Sequence, residues 1–429
     1  MDWPVLETLF LPQNDPPAFI KISAGKNDAM TNNDDFFSEF PPVSKDEWLR
    51  QIAKDLKGRP LEELEWQVTG DLNVSPFVHA DDFAELPVPF SGEPKNWEIC
   101  EEVVVSDSVA ANRQALEALE GGAEGLRFVF EKIPDSAVFE QLLAGVHLDF
   151  IGLHFAGMGV TKNPGAVLGN LERVAKQKGI PTENLRGSLG YDPAASAGIV
   201  DWRYLVDLVV FAKEKFPQFK MVTVALNPTP SPSPDGRGVP TSRDDSTSPL
   251  PSGEGLGVGL SKGNLYLEKL TERGLSPAEA AATIQFSITI GKSYFLEIAK
   301  LRAFKLLWLN VLKAWGAPLN YPTVEARFQP EVYSDDLYTN MIRATTMAMS
   351  AVLGGADRLI VLPYDAGREA QATYSQTFSR RIARNVQHLL KMESFFHEIP
   401  DAAAGSYYIE KLTGQLAEKA WAEFQTQNS

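Results

Sequence analysis

The sequence predicts an α/β fold, a (β/α)8 TIM barrel with an extended N-terminal arm, and three observations lead there. Eight strand-like runs recur between Trp97 and Pro363, nearly all separated by helical segments. An internal echo sets ALEGGAEGLRFVF (118–130) against AVLGGADRLIVLP (351–363), each reading as helix, Gly-Gly-Ala turn and buried strand. Finally, Thr283 to Trp308 joins an alternating apolar run to a helix that is apolar almost all round, with Arg302 inside the apolar arc. Such a helix must be buried on more than one side, which makes a second chain a candidate cover for its outer face.

Taken in order, residues 1–35 are polar, hold Pro12, Pro16 and Pro17, and read as a flexible N-terminus. An N-terminal arm follows over 36–95. Ser44 with Glu47 three residues on forms a capping box, and Gly58 lies just past the helix end that this start implies. Pro76, Pro87, Pro89 and Pro94 keep the rest of the arm extended. The barrel is read over 96–400, with strands at 97–105, 125–130, 148–155, 185–191, 220–226, 283–290, 324–328 and 358–363. Residues 227–261, rich in Pro, Ser and Gly, read as a low-complexity disordered insertion, and 401–429 as a tail that starts a linker.

The composition narrows the function. With 44% apolar and 22% charged residues the chain has the makings of a soluble globular core. A net charge of −16 argues against nucleic acid or an anionic membrane as partner, because phosphates require basic patches. The single cysteine, Cys100, excludes an internal disulfide and a thiolate cluster. The N-terminus lacks the pattern of a signal peptide, and no run reaches the roughly 18 apolar residues of a membrane span, so a cytoplasmic location is expected.

Little chemistry is legible from spacing. The glycines 253, 255, 257 and 259 lack the strand and spacing of a phosphate loop and read as flexible linker. His79, His147, His154, His388 and His397 form no HxxxH or HxH pair, so no metal site is readable. His154 lies on a barrel strand and is read either as a core histidine bonded to backbone or as chemistry at the strand's end. Asp192 and Asp365 close strands and are either functional or helix caps. Glu325 and Arg327 alternate with apolar neighbours and are placed together in the barrel mouth, while Ser379 to Asn385 reads as a basic stripe, solvated or at an interface. No residue is assigned a catalytic, cofactor-binding or metal-binding role, and substrate contacts stay unknown.

Several segments together resemble the methylmalonyl-CoA mutase family, in particular its small, β-type subunit. They are FPPVSKDEWLRQIAKDLKG (40–58), FLEIAKLRAFKLLW (295–308), LGGADRLIVLPYD (353–365), RRIARNVQHLL (380–390) and AGSYYIEKLT with Ala420–Trp421 beyond it. The resemblance implies a barrel of the type that binds acyl-CoA along its axis. It also implies an adenosylcobalamin-dependent isomerase that interconverts methylmalonyl-CoA and succinyl-CoA. The family's D-x-H-x-x-G cobalamin motif is missing, no tyrosine occurs over 87–103 where catalytic members carry one, and the histidine usual after the fifth strand is missing too. By this resemblance the chain is expected to be a non-catalytic small subunit in a heterodimer with a large subunit that holds cobalamin. The alternatives are an active barrel paired with a separate cobalamin protein, and a degenerate chain without function.

Overall fold

Ser44 opens the helix Lys45–Asp55 as its sequence requires: its hydroxyl accepts the Glu47 N–H, and the Glu47 carboxylate accepts the Ser44 N–H at 3.1 Å. The computed structural model describes residues 43–69, 72–83, 96–195, 200–226 and 254–428. Within the arm a short antiparallel hairpin, Trp66–Thr69 with Leu72–Val74, follows that helix. The remainder of the proline-rich arm, residues 84–95, and most of the proposed insertion, residues 227–253, lie outside the described residues.

The body is a nearly closed parallel barrel. Its strands are β1 (Glu98–Val104), β2 (Gly125–Val129), β3 (Gly152–Ala156) and β4 (Arg186–Leu189). The circuit continues through a fifth position, then β6 (Ile284–Thr289), β7 (Thr323–Arg327) and β8 (Arg358–Ile360). The fifth position, β5, is split at Met221: Gln218–Lys220 pairs with β4 and Val222–Leu226 with β6. Counting those halves separately gives nine parallel strands in one sheet among the described residues. Thr223 bridges the seam, its N–H reaching Tyr191 C=O at 3.0 Å and its hydroxyl Leu189 C=O at 2.6 Å. The predicted strand at 148–155 begins only at Gly152, because the residues before it form a turn.

The echoed Gly-Gly-Ala turns are one structure used twice. Helices Ser108–Glu120 and Leu337–Leu353 end at Gly121 and Gly354, and Gly122 and Gly355 follow with φ of +86° and +87°. Only glycine takes that conformation without strain, so both turns drop directly into β2 and β8.

Two expectations need correction. Residues 254–261 are not part of a disordered insertion but the first turns of helix Glu254–Thr271. Gly257 and Gly259 in it serve close approach rather than flexibility. A Cβ on Gly257 would lie 2.8 Å from Ala420 C=O, and one on Gly259 2.5 Å from Leu226. The stretch read as a tail that starts a linker is instead held to the barrel, since helix Tyr407–Gln427 packs along both Glu254–Thr271 and Tyr294–Ala314.

That packing answers the question raised by the all-round apolar helix. Tyr294–Ala314 lies against β6 on one side, with Phe286 edge-on to Phe304 and Trp308 at 4.7 and 4.8 Å. Its other faces are covered by Leu337–Leu353, Glu254–Thr271 and Tyr407–Gln427 of the same chain. Arg302, 1% exposed, points at this cover and bonds Asp401 and, at 2.7 Å, Glu410. Among the described residues no helix is long and apolar enough to cross a membrane.

Candidate functional site

Alternation along each strand turns one side chain in two inward, and here those inward positions are polar. Arg358 on β8 lies at their centre. Its guanidinium bonds Glu325 on β7 at 2.8 and 3.0 Å and Gln285 on β6 at 3.2 Å, and its Nη1 lies 3.2 Å from His154 Nε2 on β3. His154 is held at both ring nitrogens, Nδ1 by the Ser188 hydroxyl of β4 at 2.8 Å and Nε2 by Glu98 of β1 at 2.7 Å. Ser287 donates to Glu325 at 2.9 Å, and Gln285 to Thr223 of β5 at 2.8 Å. Above this layer Arg127 of β2 pairs with Glu102. Seven of the eight strand positions thus contribute to one hydrogen-bonded mass across the axis, and β2 joins it through the Arg127–Glu325 ion pair at 3.7 Å.

Glycines make room for it. A Cβ on Gly125 or Gly152 would fall 2.0 or 2.3 Å from the Glu98 carboxylate, so neither position accepts a side chain while Glu98 lies there. Burial would raise the Glu325 pKa, but the adjacent Arg358 and Arg127 overcome it and hold the carboxyl far below its usual range. Glu98 is likewise lowered against its burial, chiefly by His154. For His154, burial and then the Arg358 charge outweigh Glu98 and lower its pKa, so the imidazole is neutral at pH 7. With its proton on Nε2 the ring donates to Glu98 and accepts from Ser188.

This buried neutral imidazole predicts a pH dependence. An unfolded histidine takes up a proton below about pH 6.5, whereas folded His154 resists it until lower pH. The unfolded state then binds more protons, so stability falls as pH drops through that window, by at most about 1.4 kcal/mol per pH unit. Urea midpoints at pH 7.5 and 5.5 should differ in the natural chain and differ less in His154→Gln; an equal loss in both would refute the assignment.

The structure redistributes the residues singled out by sequence. His154 is indeed in the core, but side chains rather than backbone bind it, and it sits within β3 rather than at its end. Glu325 and Arg327 both lie on β7, yet the partner of Glu325 is Arg358. Asp192 directly precedes the short helix Pro193–Ala195 and accepts from Tyr266 and from Lys262 at 3.3 Å. Asp365 accepts from Ser379 at 2.6 Å. The basic stripe is largely internal: Arg384 pairs with Glu101, Arg380 with Glu101 and Glu117, and Arg381 alone of the three lies over the Phe378 ring. His79 caps a short helix through Nδ1, His147 stacks on Phe150, His388 bonds Gly121 C=O, and His397 faces Glu398.

Sequence reasoning missed Glu98, Ser188, Gln285 and Arg358, because none belongs to a local motif and the partners of each lie on other strands. It also missed that Glu98, Cys100 and His154 bring a carboxylate, a thiol and an imidazole within 4.8 Å of one another. A cavity of about 280 Å³ lies at the rim, where Glu102, Val104, Leu362 and Asp365 face Arg380 and Arg384 of helix Gln376–His388. It falls just below the ~300–1,000 Å³ range of small-molecule sites.

Comparison with known proteins adds the following. Residues 251–428 match the sequence profile of the family described as Methylmalonyl-CoA mutase. The chain is 33% identical over 416 residues to the methylmalonyl-CoA mutase small subunit of Porphyromonas gingivalis, covering 90% of this chain and 63% of that protein. It is 28% identical over 417 residues to the small subunit from Streptomyces virginiae, with the same coverage. To the methylmalonyl-CoA mutase of Cereibacter sphaeroides it is 27% identical over 428 residues, covering 88% of this chain and 57% of that protein. The chain therefore spans less than two thirds of the length of these curated relatives.

Proposed function

Because the chain belongs to the methylmalonyl-CoA mutase family, we propose that it is a non-catalytic small subunit that stabilises a catalytic large subunit of the same isomerase. The observation that carries this reading is the occupied barrel axis. An acyl-CoA threaded through a barrel needs a lined passage, and here Arg358, Glu325, His154, Ser188 and Gln285, all buried, bond across it. Opening that passage would strand several charges in a medium of low polarity. Catalysis by this chain would therefore require dismantling its own core.

Adenosylcobalamin belongs, in this reading, to the large subunit. Among the described residues the filled barrel axis and a rim cavity of about 280 Å³, too small for a corrin ring, offer it no seat. No step is routed through cobalamin by this chain. A large subunit would dock on the outside of the barrel, and an obligate contact of that kind usually buries more than about 2,000 Å².

Co-expression with a mutase large subunit tests the reading. The expected result is a stoichiometric complex that isomerises methylmalonyl-CoA, whereas this chain alone, given adenosylcobalamin, shows no turnover. Failure to associate would sink the structural role. Turnover by this chain with a separately supplied cobalamin-binding protein would instead establish an active barrel.

A further inference from the structure

We propose that Glu98, Cys100 and His154 form a binding site for a borderline divalent cation such as Zn²⁺ at the N-terminal mouth of the barrel axis. Their donor atoms lie within 4.8 Å of one another, so a side-chain adjustment of about 1 Å brings them to the ~3.3–3.8 Å separations of tetrahedral ligands with bonds of about 2.0–2.3 Å. Carboxylate, thiolate and imidazole together suit zinc or cobalt and do not suit calcium or magnesium, which favour oxygen alone. The inference does not rest on the subunit reading, since it concerns this chain by itself.

Three features fit a built site. Glu98 and Cys100 are two apart on β1 and so share its inner face, while His154 comes from β3. Ser188 holds His154 Nδ1 at 2.8 Å, fixing the ring so that Nε2 faces Glu98, the outer-sphere arrangement usual for a metal-binding histidine. Gly125 and Gly152 leave the Glu98 carboxylate space, and its side chain is 21% exposed, which gives an ion a route in from the mouth. The remaining coordination position falls to water from that side.

Proton accounting is simple. The Nε2 proton of His154 shifts to Nδ1, which then donates to Ser188, and the Cys100 thiol gives its proton to solvent as sulfur bonds the metal. One proton is released per ion, so affinity rises with pH. Burial, with Glu98 and Glu325 nearby, holds the free Cys100 thiol well above its usual range, against the opposing charges of Arg358 and Arg127. Arg358 Nη1, 3.2 Å from His154 Nε2, must turn away from that nitrogen, while Nε and Nη2 keep their bonds to Glu325.

Because Cys100 is the only cysteine in the chain, a spectroscopic test is unambiguous. Co²⁺ titrated into the reduced, tag-free full chain should produce thiolate-to-cobalt charge-transfer absorption that saturates near about one ion per chain and is bleached by Zn²⁺. Cys100→Ser should abolish the band, and Glu98→Gln should weaken apparent affinity by about tenfold or more. His154→Gln, checked for folding by circular dichroism, should also lose the band. No band in the natural chain would overturn the site, as would a band that survives in folded His154→Gln. If that variant does not fold, unchanged affinity in Glu98→Gln is decisive against it.

Discussion

Arg302→Met is expected to cost about 3–5 kcal/mol of folding stability, because it leaves two buried carboxylates without their cation. Asp401 and Glu410 flank the guanidinium, and all three residues are less than a tenth exposed. The loss should be concentrated in the docking of helix Tyr407–Gln427 on helix Tyr294–Ala314, so protease sensitivity should rise first near the C-terminal helix. Urea unfolding measures the total. Removing the carboxylates as well, in Arg302→Met/Asp401→Asn/Glu410→Gln, should recover most of it, since neutral replacement of a whole buried ion cluster costs far less than removal of one member. A single variant as stable as the natural chain would show that the cluster does not hold the two helices together.

Arg358→Met should be damaging for the same electrostatic reason, at a different place, again by about 3–5 kcal/mol. Glu325 is buried and keeps its charge chiefly through Arg358, with Arg127 farther off at 3.7 Å. Without the guanidinium, burial dominates and the Glu325 pKa climbs. This gives the substitution a pH signature that simple loss of packing would not share. In the natural chain the Glu325 contribution is fully present above the ordinary carboxyl range and disappears only as pH falls far below it. In Arg358→Met the folded state should take up that proton at much higher pH, so the stability difference between the two chains should shrink as the solution is acidified. A difference that does not change with pH would point to lost packing alone. The partial rescue Arg358→Met/Glu325→Gln completes the comparison.

How much of this was legible beforehand follows from where the signals lie. The eight strand positions are local patterns, and they stand close to where alternation and the Gly-Gly-Ala turns place them. Arg302 was conspicuous as a charge in an apolar arc, but its partners lie 99 and 108 residues downstream, beyond any spacing rule. The axial cluster was less visible still. Arg358 and His154 are 204 residues apart, and each looks like an isolated polar residue in its own strand. Composition misled at 254–261, where glycine means close packing of helices rather than freedom of the chain. Periodicity finds elements, whereas a site assembled from eight separate strands exists only after the barrel closes.

The Arg302 clamp also sets an order of events during synthesis. A nascent chain that has just exposed helix Tyr294–Ala314 carries an arginine in the apolar arc whose counterions are still unmade. At translation rates of about 5–20 residues per second, the 108-residue gap to Glu410 corresponds to about 5–20 seconds in which that helix lacks one of its three covering helices. The sixth βα unit is therefore finished last, by the C-terminal helix, and until then it presents a broad apolar surface on which chaperones can act.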